Sequence, residues 1–182
     1  MAGRYGPVNQ DQARYGYHFM VVIGGLGTET RREPPASAKT ALKKCSAEAV
    51  EKVPSLEDKG LPDEIKQTSY IKSIMSPKAV SAFNRWSQCM SKAGYSYKSP
   101  MDAMRDPRWN WKSDSPSHEE ISAARRDVQC KQNTGVVNDW FRAEAEIQER
   151  DINQSKRALD DIRKQIEKRA QAAREILKED SA

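Results

Sequence analysis

The sequence predicts an all-α fold: a small helical domain with an extended N-terminal segment and a long C-terminal helix. Apolar residues recur at three- and four-residue spacing from about residue 36 onward. Serine or proline stands ahead of each apolar run, where helices begin. From Val136 to the C-terminus neither proline nor glycine interrupts the chain. The domain boundaries follow: an extended, partly ordered segment at 1–35, a helical domain at 36–145 and a projecting charged helix at 146–182.

Composition bounds the core. The 182 residues are 37% hydrophobic and 31% charged, against about 45–50% and 25% in ordinary globular domains. Only part of the chain therefore has a core to join. The net charge of +5 is spread along the chain, so no stretch has the clustered lysine and arginine of a nucleic-acid footprint. The longest apolar run, Phe19 to Ile23, is too short for a membrane span or the core of a signal peptide. An exported protein would carry its signal upstream of this sequence.

Residues 1–35 are rich in glycine, tyrosine and arginine and lack a helical period. Phe19–Ile23 reads as a short β-type run with no second strand to pair with, which is marginal alone. Ser37 then opens a helix to about Lys52 with Leu42, Cys45, Ala49 and Val53 on one face, and Pro54 ends it. Leu61-Pro62-Asp63-Glu64 starts a second helix with its acids at the favoured end of the dipole. Ser76-Pro77 starts a third, with Val80, Phe83, Trp86, Met90 and Ala93 inward and Gly94 as its stop. Ser99 and Asp102 cap a short turn that Asp106-Pro107 closes. A loop carrying Trp109 and Trp111 follows. Ser117-His118-Glu119-Glu120 is the clearest capping box, opening a helix through Ile121, Ala124, Val128 and Cys130 that breaks at Gly135.

Beyond Gly135 runs the longest expected helix, apolar at first (Val136, Val137, Trp140, Phe141) and sparse later (Leu159, Ile162, Ile166). At about 1.5 Å per residue it outruns the width of a body of about 100 residues. Ile152, Leu159, Ile166 and Ala173 make one heptad row. The companion row, Ser155, Ile162, Arg169 and Ile176, is half polar, so the seam is weak. The single core expected joins Phe83, Trp86, Tyr95, Trp140 and Phe141.

Signatures of chemistry are thin. Three cysteines without CxxC spacing and two histidines offer no zinc site. Gly24-Gly25-x-Gly27 lacks the Lys-Ser/Thr of a phosphate loop and the helix that should follow it. His18 sits in an aromatic cluster, and His118 reads as a solvated first-turn residue. The pairs Glu119-Glu120 and Asp160-Asp161 are adjacent, so their members do not share a helix face. No catalytic residue, cofactor or metal is called. Trp109 and Trp111 either lid the core or form an aromatic surface for a glycan or peptide. Cys89 and Cys130 fall at inward helical positions, compatible with a staple between two helices or with buried thiols.

The run RWSQCMSKAGYSYKSPMDA, the later Ala-Ala-Arg-Arg-Asp-Val-x-Cys and the helix bearing Trp140 resemble a group of uncharacterised secreted proteins and lipoproteins of actinobacteria, Streptomyces especially. Arg4-Tyr5-Gly6, Arg14-Tyr15-Gly16-Tyr17-His18 and Cys45 with Glu48-Ala49 share in that resemblance, which touches most of residues 4–145. It brings no known activity, so no functional residue is carried over. It implies export and a Cys89–Cys130 disulfide, making the helical domain a disulfide-stapled one.

Three functional classes follow. The favoured one is an exported, non-catalytic helical protein of the cell envelope or extracellular space. It would bind a partner protein or wall component, or self-associate through the C-terminal helix at Leu159, Ile162 and Ile166. The alternatives are a cytosolic helical adaptor pairing through that same helix, and an enzyme on an envelope polymer with Trp109 and Trp111 as its platform. A pocket joining those tryptophans to a carboxylate or to His18 would favour the enzyme.

Overall fold

The structure is a computed structural model that describes residues 4–18, 34–56, 60–113 and 115–179. Among the described residues it contains eight α-helices, one 3-10 turn and no strand. The helices are α1 (Gln10–Ala13), α2 (Ala36–Lys52), α3 (Leu61–Ile74), α4 (Pro77–Ser91), α5 (Pro100–Met104), α6 (His118–Thr134), α7 (Val136–Gln154) and α8 (Lys156–Glu179), with the turn at Gly16–His18. The β-type run Phe19–Ile23 and the glycines after it lie outside the described residues.

Capping chemistry places the boundaries. The Ser76 hydroxyl accepts from Ala79 N, with Pro77 in the first turn of α4. At α5 the capping box is complete: Ser99 and Asp102 each accept from the other's backbone. Ser117 caps α6 by accepting from Glu120 N at 3.1 Å. The return arm expected there is diverted, because the Glu120 carboxylate is engaged elsewhere. Gly135 ends α6 at φ +66°, a left-handed conformation that costs other residues a clash at Cβ.

The chain divides into two compact units, one from 1–31 with 70–146 and the other from 32–69 with 147–182. In the first unit α6 is the hub against which α1, the 3-10 turn, α4 and α5 pack. The Cys89–Cys130 disulfide ties α4 to α6 across 41 residues, with the two Cα atoms 5.6 Å apart. Trp86, Met90, Val128, Cys130, Val136 and Trp140 are wholly buried around it. Trp140 is the aromatic centre. Tyr5 meets its ring edge-on at 4.8 Å, Phe83 edge-on at 5.1 Å and Tyr70 stacked at 5.5 Å. Its indole N–H donates to the buried Ser73 hydroxyl at 2.9 Å.

Of the expected core residues, Phe141 is turned out and Tyr95 packs against the edge of the core. Phe141 is 39% exposed, since α7 turns Val136, Trp140, Ala143 and Glu144 inward and the next residue lies about 100° round the helix. Tyr95 is only half-buried, stacked 6.2 Å from Tyr97, and Tyr97 is the buried member. The N-terminal segment is also corrected. In place of extended chain, residues 4–18 contain α1 and the 3-10 turn, and Tyr5, Ala13, Tyr17 and His18 are buried.

The second unit differs in character. Ile65, Ser69 and Ile162 are its buried side chains among the described residues, while every residue of α2 from Lys39 to Lys52 is exposed. The single helix expected beyond Gly135 is interrupted once, at Ser155. Its N–H is shared between Asp151 O at 3.1 Å and Ile152 O at 3.2 Å, a local tightening toward 3-10 geometry. The hydrogen-bond ladder resumes at once, as Leu159 N donates to Ser155 O at 3.0 Å.

Candidate functional site

The polar groups of the first unit converge on one buried place, the inward face of α6 where it meets residues 4–18. Lys131 is 3% exposed and uses all three of its donors. Its Nζ donates to Asp127 Oδ2 at 2.7 Å, Tyr5 O at 2.5 Å and Pro7 O at 3.0 Å. The other Asp127 oxygen accepts from the Trp86 indole at 2.9 Å. One buried ion pair thus grips two backbone carbonyls of the N-terminal segment and one core tryptophan. Burial pushes the Asp127 carboxyl up and the Lys131 ammonium down, and each charge opposes that drift in the other.

On either side of this pair the segment is held again. The Tyr5 hydroxyl donates to Glu144 Oε2 at 2.9 Å, and Arg4 pairs with the other oxygen of that carboxylate. Burial and the bond to Glu144 push the Tyr5 phenol well up. At the far end Glu120 Oε1 accepts from Tyr17 N at 2.6 Å and meets His18 Nδ1 at 2.9 Å. Gly16 sits at φ +57°, and a Cβ there would lie 2.4 Å from Glu120 Oε1. Close approach as well as backbone conformation therefore requires glycine.

His18 and Glu120 form the nearest approach to a catalytic dyad. Their geometry is that of a lock. His18 Nε2 faces the Asn110 carbonyl at 3.2 Å rather than a nucleophile or open space. Both ring nitrogens thus face oxygen atoms, Glu120 Oε1 on one side and the Asn110 carbonyl on the other. The ring is 6% exposed and stacked under Trp111 at 4.9 Å. Among the described residues Glu120 Oε2 has no hydrogen-bond partner, while the buried Tyr17 hydroxyl approaches the Asp127 carboxylate.

The two loop tryptophans part company. Trp109 is 2% exposed, stacks on Tyr17 at 5.7 Å and donates its indole N–H to Ala103 O at 2.6 Å. It is a lid on the core and is not available to a ligand. Trp111 is 49% exposed and remains a surface aromatic. The open concavities of about 360 and 820 Å³ in the second unit contain neither tryptophan nor His18. Among the described residues no group of three or more His, Cys, Asp or Glu side chains is placed to hold a metal ion. No described helix is long and apolar enough to cross a membrane.

Beside this interior, Asp106 is enclosed by Arg108, whose guanidinium donates to both carboxylate oxygens, and by the Tyr97 hydroxyl at 2.6 Å. Arg108 holds the Asp106 carboxyl well below the usual carboxylate range. A carboxyl depressed in the folded state stabilises fully above its unfolded value of about 4, and that contribution fades as pH falls through the folded value. Asp106→Asn is therefore expected to lower stability at pH 7 and to flatten its decline below about pH 4. Urea midpoints measured across that range check the slope.

On α8 the candidates for association also separate. Ile162 is 7% exposed and already covered, which removes it as a docking residue. Leu159 is half-buried, while Ile166 and Leu177 are 50% and 67% exposed. Cys45 is exposed with a free thiol.

No protein family, characterised protein or solved structure matches the chain.

Sequence reasoning missed the clamp of Lys131, Asp127, Glu120 and Glu144 on the N-terminal segment. One signal for it was present. Asp127 and Lys131 stand four apart with Val128 between them, on the same helix face as the inward cysteine region.

Proposed function

We propose that this is an exported, non-catalytic helical protein of the cell envelope or extracellular space that works by binding. The observation that carries the reading is the disulfide between α4 and α6, with Cys130 wholly buried in the core. Structural disulfides persist where the surroundings are oxidising. The interior around α6 adds support of a second kind: its histidine and carboxylates are spent on fastening residues 4–18. Binding falls to the surfaces left over, first among them the exposed apolar positions of α8, with a protein partner, a wall component or a second copy as occupant.

Truncation after Gln154 tests the binding half of the proposal. The buried cluster of the first unit draws no residue from α8, so the truncated chain is expected to keep the melting temperature of that unit. The full-length chain is expected to self-associate or retain its partner in sedimentation, and the truncated chain to be monomeric and inert. Loss of the first unit's fold on truncation, or association that survives it, would remove α8 as the binding element. Fractionation tests the location, with the chain expected in the medium or envelope fraction and not in the cytosol.

A further inference from the structure

We infer that the Cys89–Cys130 disulfide is a redox switch on the grip that α6 keeps on the N-terminal segment. A small thiol opens it at Cys89, and opening loosens that grip while the helices of the first unit stay folded. Trp86 and Cys89 stand three apart on α4, and Asp127 and Cys130 three apart on α6. Trp86 is hydrogen-bonded to Asp127 and Cys89 is bonded to Cys130, each pair 41 residues apart in sequence. Two rungs, one covalent and one a hydrogen bond, therefore join the same two helices one turn apart. Asp127 links this ladder to the N-terminal segment. Its Oδ1 accepts from the Trp86 indole, and its Oδ2 holds Lys131, whose Nζ donates to the carbonyls of Tyr5 and Pro7.

Opening the covalent rung leaves the register of α4 on α6 to packing and to the 2.9 Å bond from the Trp86 indole. A hydrogen bond weakens steeply once its geometry slips, and Asp127 then holds Lys131 less firmly in place. The ends of the segment are held by Glu120 and Glu144, which bond no residue of α4. Loosening is therefore confined to the stretch around Tyr5 and Pro7. Burial decides which sulfur is attacked. Cys130 is wholly buried, whereas Cys89 is half-buried at the edge of the core. The attacking thiolate forms a mixed disulfide on Cys89 Sγ as the bond to Cys130 breaks. Its electron pair leaves on Cys130 Sγ, which takes up a proton. A second thiol then releases Cys89, so both cysteines end as thiols and the small thiol ends as its own disulfide. An apolar interior raises the cost of the departing Cys130 thiolate, so the exchange is slow.

Full-length protein compared before and after treatment with dithiothreitol, without denaturant, tests the switch. Hydrogen exchange at the Trp86 indole and chymotryptic cleavage at Tyr5 should each rise about tenfold on reduction, with helix content by circular dichroism unchanged. Trp86→Phe keeps an aromatic ring but removes the indole donor, so it should raise cleavage at Tyr5 even with the disulfide intact. Brief exposure to glutathione followed by alkylation and mass spectrometry should place glutathione on Cys89 and the alkyl group on Cys130. The inference is overturned by a disulfide that resists both thiols in the folded protein, or by cleavage at Tyr5 that reduction leaves unchanged. Cleavage that rises only as helix content is lost, no effect of Trp86→Phe, or glutathione on Cys130 would also overturn it. None of these readouts involves α8 or the place where the protein is found, so the binding proposal stands or falls separately.

Discussion

Trp140→Ala is expected to lower the stability of the first unit by about 3–5 kcal/mol, a large share of what a small domain has. The indole is wholly buried and is the contact shared by Tyr5, Tyr70 and Phe83, which come from three separate stretches of chain. Its removal leaves a cavity between them and strips the buried Ser73 hydroxyl of its donor. Urea unfolding followed by circular dichroism measures the cost. Trp86→Ala should approach the same magnitude, because its loss also leaves Asp127 Oδ1 without the indole bond. An unchanged midpoint in either variant would place the core elsewhere.

The second large effect is electrostatic. Lys131→Met should cost about 3–5 kcal/mol, because the Asp127 carboxylate would be left in the interior without its cation. The carbonyls of Tyr5 and Pro7 would lose their donor in the same step. Adding Asp127→Asn should return part of the loss, since the uncompensated charge goes with it. Proteolysis should report the consequence locally, with cleavage near residues 4–18 rising in Lys131→Met and falling back in the double variant. Equal resistance in all three chains would mean that the N-terminal segment is not held by this pair.

Much of the helical framework was legible because helix signals are local. Ser76-Pro77, Ser99 with Asp102, Ser117 and Gly135 each act within four residues of themselves, so sequence alone places them. The inward positions of Trp86, Met90 and Val128 followed from spacing for the same reason. Of the clamp on residues 4–18 only the Asp127–Lys131 spacing was legible, since the groups it holds are remote in sequence. Tyr5 reaches Glu144 across 139 residues and Tyr17 reaches Glu120 across 103. A segment buried by such contacts needs no periodicity of its own, and its glycines and tyrosines read as irregular chain. Trp109 and Trp111 are two residues apart in one loop, yet one lids the core and the other faces out. Phe141 failed for a different reason: it lies about 100° round α7 from the inward Trp140, which carries it to the solvent side.

Redox state in the living cell tests the central claim most directly. Thiols are trapped with an alkylating agent at harvest, and unreduced peptides are then read by mass spectrometry. The disulfide closes a loop of 41 residues, worth about 4 kcal/mol in the chain-entropy account, so the native protein should hold it throughout. The predicted result is a Cys89–Cys130 linked peptide with no alkylation at either cysteine, in protein recovered from the medium or envelope fraction. Alkylated Cys89 and Cys130 in protein recovered from the cytosol would contradict both the staple and the export it supports.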